Sequence, residues 1–275
     1  MSTAQQTLEE NVTDTLEETV GTTVEDAPQD APQDARRGTV GDPVLVACSH
    51  GTRSAPGRAV VEALRAAVRA ARPGLRVVAA HVDVQEPELG AVVEELVAGG
   101  ERCVVVPLLL SSGYHVRVDI AQALRDTGGR AVAAPALGPD EVITAALVDR
   151  LEEALGTPVE EFPGAVVLAA AGSSDARAAA DVQAAVASLS ARTGRAVTSG
   201  FLSAQEPTVA DAVAAARAAG AAEVAVAGYL LAPGVFSARL AAAGADVVAE
   251  PLGVHPALVD LVLARYDGAT ATPPR

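Results

Sequence analysis

The sequence has no lysine and no tryptophan, and only 2% of its 275 residues are aromatic. Arginine carries all the fixed positive charge, against a formal net charge of −15. A chain so acidic lacks the basic face that phosphate binding needs, which argues against a nucleic-acid partner and equally against an anionic membrane surface. No apolar run reaches the roughly 18–20 residues of a membrane span. The N-terminus has no basic patch followed by a hydrophobic segment, so no secretory signal is read and a soluble cytoplasmic protein is expected. Cysteine is scarce as well: Cys48 falls late in one predicted strand and Cys103 at the start of another. In parallel neighbours that stagger separates the Cα atoms by more than about 10 Å, whereas a disulfide needs them within about 7 Å. Both are expected to be small core residues.

Half of the residues are hydrophobic, enough for one large α/β domain or two modest ones to bury a core. With few aromatics, that core must be built from alanine on helices and β-branched residues on strands. Residues 1–41 stand apart, with nine acidic residues, two arginines, no aromatics and the tandem "APQDAPQDA". Low hydrophobicity with high charge predicts a disordered acidic tail.

From Asp42 onward, strand-like runs at Val44–Ser49, Arg76–Val82, Cys103–Leu110 and Arg130–Ala134 alternate with helical stretches. The helices are expected near Ala55–Ala71, Pro87–Ala98, Val118–Thr127 and Asp140–Leu155. This alternation indicates an α/β fold with parallel sheets covered by helices on both faces. The pattern then repeats. "LVACSHGTRSAPGRAVVEALRAAV" pairs with "VLAAAGSSDARAAADVQAAVASL", and Gln85-Glu86-Pro87 pairs with Gln205-Glu206-Pro207. Two duplicated halves are expected at 42–157 and 164–268, each with about four strands, joined by a linker at 158–163. Residues 269–275 are expected to be a disordered C-terminus.

In open α/β sheets ligands bind beyond the carboxyl ends of the strands, where the strand order switches. His50 follows the first strand, Asp83 ends the second in "HVDVQEP", and His115 comes after the third in "LLLSSGYHVRVDI". If the strand order is 2-1-3-4, neighbours about 4.8 Å apart carry all three to one sheet edge. Two imidazoles and a carboxylate with open positions suit a borderline divalent metal. His81, two residues before Asp83, is expected to support such a site from behind. His255 is expected to be structural.

Taken together, "SHGTR", "DVQEP" and "VVVPLLLSSGYHVRVDI", in this order and spacing, resemble the sirohydrochlorin chelatase (sirohydrochlorin cobaltochelatase) family, the class II, ATP-independent tetrapyrrole chelatases. The resemblance covers nearly all of 42–157 and, more faintly, 164–268. It implies insertion of a divalent metal, Co²⁺ or Fe²⁺ with Ni²⁺ also possible, into sirohydrochlorin, in cobalamin or sirohaem biosynthesis. The metal is then a co-substrate, with no tightly bound cofactor. The absence of a GxxxxGK[ST] loop agrees with a reaction that hydrolyses no nucleotide. His50 and His115 match the family's metal-handling histidines and are the expected catalytic pair. Asp83 stands where the family commonly has glutamate and completes the expected metal set. Arg53 and Arg117 are candidates to contact the substrate's carboxylates, with Gly51, Ser112 and Gly113 as further substrate-binding positions at the turns and helix start.

The second half departs from this pattern: Ala171 aligns with His50, Ser203 with Asp83 and Phe236 with His115. One active centre, borne by the first half and faced by a degenerate one, is expected. Monomer and homodimer are both compatible with a fused pair. The rival reading is a metal-binding or tetrapyrrole-carrier protein that kept the fold. A histidine phosphatase fits poorly, because Ser49 stands where its Arg-His-Gly pattern has arginine.

Overall fold

Short valine-rich runs become strands, and the alanine-rich stretches between them become helices, in strict alternation along the chain. The computed structural model describes residues 41–111 and 113–271, apart from the side chains of Tyr114, His115 and Val116. All but the last residue of the expected acidic tail at 1–41, and the last residues, 272–275, lie outside the described residues, as does Ser112.

The first half runs β1 (Val44–Ser49), α1 (Ala55–Ala71), β2 (Val77–His81), α2 (Leu89–Ala98), β3 (Cys103–Pro107), α3 (Tyr114–Ala123), β4 (Ala131–Ala133) and α4 (Glu141–Leu155). A single 3₁₀ turn (Val159–Glu161) leads to β5 (Ala165–Ala170), α5 (Ala176–Thr193), β6 (Val197–Phe201), α6 (Val209–Ala218), β7 (Val224–Tyr229), α7 (Val235–Leu240), β8 (Val247–Val248) and α8 (Pro256–Ala271). Helix α8 thus extends to Ala271, past the point where a disordered C-terminus was expected.

The helix starts follow local chemistry. Ser54 caps α1 by accepting from the Gly57 amide at 3.3 Å, with proline in the first turn. Asp140 caps α4 through Val142 N at 2.9 Å, and Gly156 ends it in the left-handed region at φ 71°. Helix α3 differs from the sequence expectation. It begins at Tyr114 rather than Val118, because Gly113, extended at φ −61° and ψ 155°, serves as its N-cap. The β-branched residues that follow weaken a helix by only a few tenths of a kcal/mol each. His115, Arg117 and Asp119 therefore lie within the helix, not in a loop preceding it.

The strands form two parallel four-stranded sheets of order β2-β1-β3-β4 and β6-β5-β7-β8. Val44 pairs with Cys103 and Cys48 with Pro107, so the two cysteines sit at opposite ends of the β1–β3 ladder. Both are free and buried.

The last helix of each half covers the other half's sheet. Helix α4 packs on β7, β8 and α5, while α8 packs on β3 and α1. One continuous core results, running from Leu45 and Val106 through Leu147 and Leu151 to Leu168, Leu258 and Val262. Polar ties accompany the exchange. Tyr266 of α8 donates to Pro43 O at 2.6 Å, and Arg72 at the end of α1 forms a two-point ion pair with Asp267. His255, just before α8, bonds Asp149 of α4 at 3.0 Å and accepts from Ala257 N, which accounts for it structurally. Among the described residues, no helix is long and apolar enough to cross a membrane.

Candidate metal centre and substrate cleft

The chain leaves β1 and β2 in two interlocked turns. Val82 N donates to Ser49 O at 3.1 Å and Asp83 N to His50 O at 3.0 Å, which extends the ladder past the sheet edge. The Gln85 side chain then accepts from Thr52 N at 2.8 Å. Gly51 turns at φ 95° with its Cα packed against the Asp83 carbonyl, a conformation and an approach that only glycine accepts. His50 and Asp83 are thereby held on adjacent strand ends, both exposed.

Most of this arrangement recurs in the second half, where the Ser203 hydroxyl rather than its amide donates to Ala171 O, at 2.7 Å. Leu202 N donates to Ala170 O at 3.0 Å, Gln205 accepts from Ser173 N at 3.2 Å, and Gly172, at φ 87°, packs against the Ser203 carbonyl. Val84 and Ala204, the residues after Asp83 and Ser203, both hold positive φ, at 65° and 57°. The interlocked turns therefore belong to the fold. What separates the halves is the side chains, with Ala171 and Ser203 in place of His50 and Asp83.

The Asp83 carboxylate takes up part of its capacity locally, since Oδ1 accepts from Val84 N at 2.7 Å, which leaves Oδ2 for other partners. His115 is the second residue of α3, the place Phe236 occupies in α7; its side chain lies outside the described set. Among the described residues no group of three His, Cys, Asp or Glu side chains is close enough to hold a metal ion.

The strand ends of the two halves face each other. Ser54 Oγ donates to Pro233 O at 3.3 Å, Tyr229, the last residue of β7, donates to Leu110 O at 2.6 Å, and Gly113 approaches Ser173. The loop that runs from His50 to Ser54 thus meets the second half. Arg53, in that loop, is exposed, and no ion pair of its guanidinium occurs among the described residues. Arg117 is also exposed, but its charge reaches Asp175 on the opposite half. There it adds to the Arg177 amide and guanidinium contacts that hold the Asp175 carboxyl below its ordinary range.

Two features escaped the sequence. First, Val84 and Val235 are exposed large apolar side chains, at 42% and 69%. They sit on the Asp83 turn and at the start of α7. Second, a polar cluster is buried beneath the β1–β2 edge. Ser49, Arg65 and His81 are each no more than 5% exposed. Arg65, on α1, donates to Ala47 O, Ala80 O and Ser49 Oγ, and Ser49 Oγ lies 2.8 Å from His81 Nδ1. Burial first, and then the Arg65 charge, push the His81 pKa down, which favours the neutral ring. Burial likewise lowers the Arg65 pKa, with Glu62 at 3.6 Å opposing that shift. His81 thus lies buried at the end of β2, two residues before Asp83. A groove of about 630 Å³ between α2 and α3, lined by His81, Leu89, Val93, Val97 and Asp119 among others, includes none of His50, Asp83, Gly51 or Arg53.

Paired four-stranded parallel sheets, repeated turns at their carboxyl edges and a histidine and aspartate on one edge alone define a two-half, chelatase-like α/β protein. A sequence model of the CbiX family matches residues 44–154 and 165–269, both halves, and the chain belongs to that family. It is 34% identical over 77 residues to the sirohydrochlorin cobaltochelatase of Sulfolobus acidocaldarius, a match covering 27% of this chain and 63% of that protein. The chain thus spans just under two thirds of the length of this curated relative. Among solved structures it is similar to SirB from Bacillus subtilis with Fe³⁺, at a TM-score of 0.71 and 22% identity, over 84% of this chain and 96% of that one. It is also similar to SirB from Bacillus subtilis subspecies spizizenii in complex with cobalt, at 0.69 and 19%, over 84% and 97%. At these identities the two structures support the fold.

Proposed function

We propose that this protein inserts Co²⁺ or Fe²⁺ into sirohydrochlorin without hydrolysing a nucleotide, acting in the cytoplasm as a monomer or homodimer. The observation that carries this reading is the asymmetry of a CbiX-family pair of halves. Similar turns are built twice, yet a histidine and a carboxylate stand on only one of them. The metal and the macrocycle are both substrates.

Insertion requires that a hydrated M²⁺ lose water and that two pyrrole nitrogens lose protons. His50, exposed at the strand end, supplies one nitrogen ligand and leaves most of the coordination sphere open. Asp83 Oδ2 offers a hard oxygen beside it. His115, on the first turn of α3, is proposed as the third member and, with His50, as an acceptor for the departing pyrrole protons. So sparse a set suits delivery, because a full ligand shell would retain the ion. Val84 and Val235 offer apolar contact to the faces of a flat macrocycle. Arg53 and Arg117 are the proposed partners of its carboxylates. Gly51, Gly113 and Ser112 complete the proposed substrate surface, the glycines by letting backbone amides approach.

An anaerobic absorbance assay with sirohydrochlorin and Co²⁺, Fe²⁺ or Ni²⁺ supplied separately tests the proposal. Turnover lost in His50→Ala and His115→Ala supports it. Parental rates in both variants contradict it.

A further inference from the structure

The buried Ser49–His81–Arg65 cluster occurs in one half only. Ser49 and His81 are register partners and close the β1–β2 ladder. Their counterparts closing the β5–β6 ladder are Ala170 and Phe201. Arg65, the eleventh residue of α1, corresponds to Val186, the eleventh residue of α5. All three polar residues are therefore apolar in the half that lacks the histidine and the aspartate. The fold does not require the cluster, since the second half forms the same ladder and the same interlocked turns without it.

We infer that Arg65, Ser49 and His81 are positioning residues that fix the ends of β1 and β2, and through them the separation of His50 and Asp83. The inference rests on the metal-handling role proposed for those two residues. Its geometric basis is direct. Arg65 reaches from α1 to one carbonyl on each strand, Ala47 O and Ala80 O, at 3.0 and 3.3 Å. The Ser49–His81 bond then ties the two strands side chain to side chain. The next residues along the chains are His50 and Val82, followed by Asp83. Two strand ends joined only by backbone bonds can splay at their last residues. A guanidinium held in a fixed fork, and a serine bonded on both sides, remove that freedom. A metal site whose ligands come from two strands gains from such support, and loss of an outer partner that orients a ligand typically weakens metal binding about 10–100-fold.

The test copies the second half into the first, as the triple variant Ser49→Ala, Arg65→Val, His81→Phe in the full chain. Apolar replacement of a buried ion and its partners is commonly tolerated by the fold. Thermal unfolding should therefore stay near that of the parent. Co²⁺ affinity, followed by the visible absorption of the bound ion, should fall about tenfold or more. The turnover number should fall with it, while KM for sirohydrochlorin stays within about twofold, since no cluster residue meets the macrocycle. A second pair of variants covers a triple variant that folds poorly. His81→Asn keeps an acceptor near the place of Nδ1, and His81→Phe fills the space without one. The inference expects Asn to retain Co²⁺ binding and Phe to lose it. A folded triple variant with parental Co²⁺ affinity and turnover overturns the inference alone, as does a Phe variant equal to or better than Asn. A parental Co²⁺ site untouched by His50→Ala overturns the functional reading and this inference with it.

Discussion

The Cα of Gly51 packs against the carbonyl oxygen of Asp83, so closely that no side chain fits between the two turns. Gly172 stands in the same relation to Ser203 in the other half. Gly51→Ala and Gly172→Ala should each cost about 2–5 kcal/mol, from the positive φ and the overlap combined. Denaturant titration should find the two losses similar. Co²⁺ binding, measured on the folded fraction, should suffer only in Gly51→Ala.

Val84 combines two unfavourable properties: a β-branched residue at φ 65° and an apolar side chain 42% exposed. A conformation of this kind costs about 1–3 kcal/mol, and Asn adopts it more readily. Val84→Asn should therefore raise the melting temperature by about 2–4 °C for each kcal/mol relieved. It should also raise KM for sirohydrochlorin if this side chain meets the macrocycle. A stabilised variant with unchanged KM would remove Val84 from the substrate surface.

The exchange of α4 and α8 makes each sheet depend on the other half. A fragment of residues 42–157 should stay largely unfolded on its own, because the face of β3 and α1 that α8 covers is left open. Adding residues 158–271 should restore a circular-dichroism transition close to that of the intact chain. A cooperative transition from the first fragment alone would contradict this.

Burial raises the Cys48 thiol to about 12 and the Cys103 thiol to about 11, with Arg65 opposing the shift at Cys48 and Glu101 adding to it at Cys103. An ordinary thiol ionises near about 8.5, so at pH 9 the native chain holds far less thiolate than the unfolded one. Iodoacetamide at pH 9 should leave both residues unlabelled in the native protein, as read by mass spectrometry, and modify both in urea.

Much of this arrangement is legible in the sequence, and what is missed has physical causes. The strands, the duplicated turns and the placing of His50 and Asp83 at strand ends follow from apolar runs, glycines and the repeated Gln-Glu-Pro, whereas the order 2-1-3-4 was only supposed. The start of α3 was misplaced because valines argue weakly against a helix while one extended glycine decides where it begins. The helix exchange left no mark, since α4 and α8 present similar Ala/Val/Leu faces and nothing local says which sheet they will cover. Arg65 went unremarked, although it shares the stripe of Val61, Leu64 and Val68, the signal that would have revealed its burial. The Ser49–His81 bond becomes visible only once the β1–β2 register is known.

The central claim is one metal centre per chain, on the first half. Anaerobic titration of Co²⁺ into the full chain, the parent beside His50→Ala, tests it most directly. One equivalent should bind in the parent, and that binding should be lost in the variant. Two equivalent sites, or one that survives loss of His50, would contradict it.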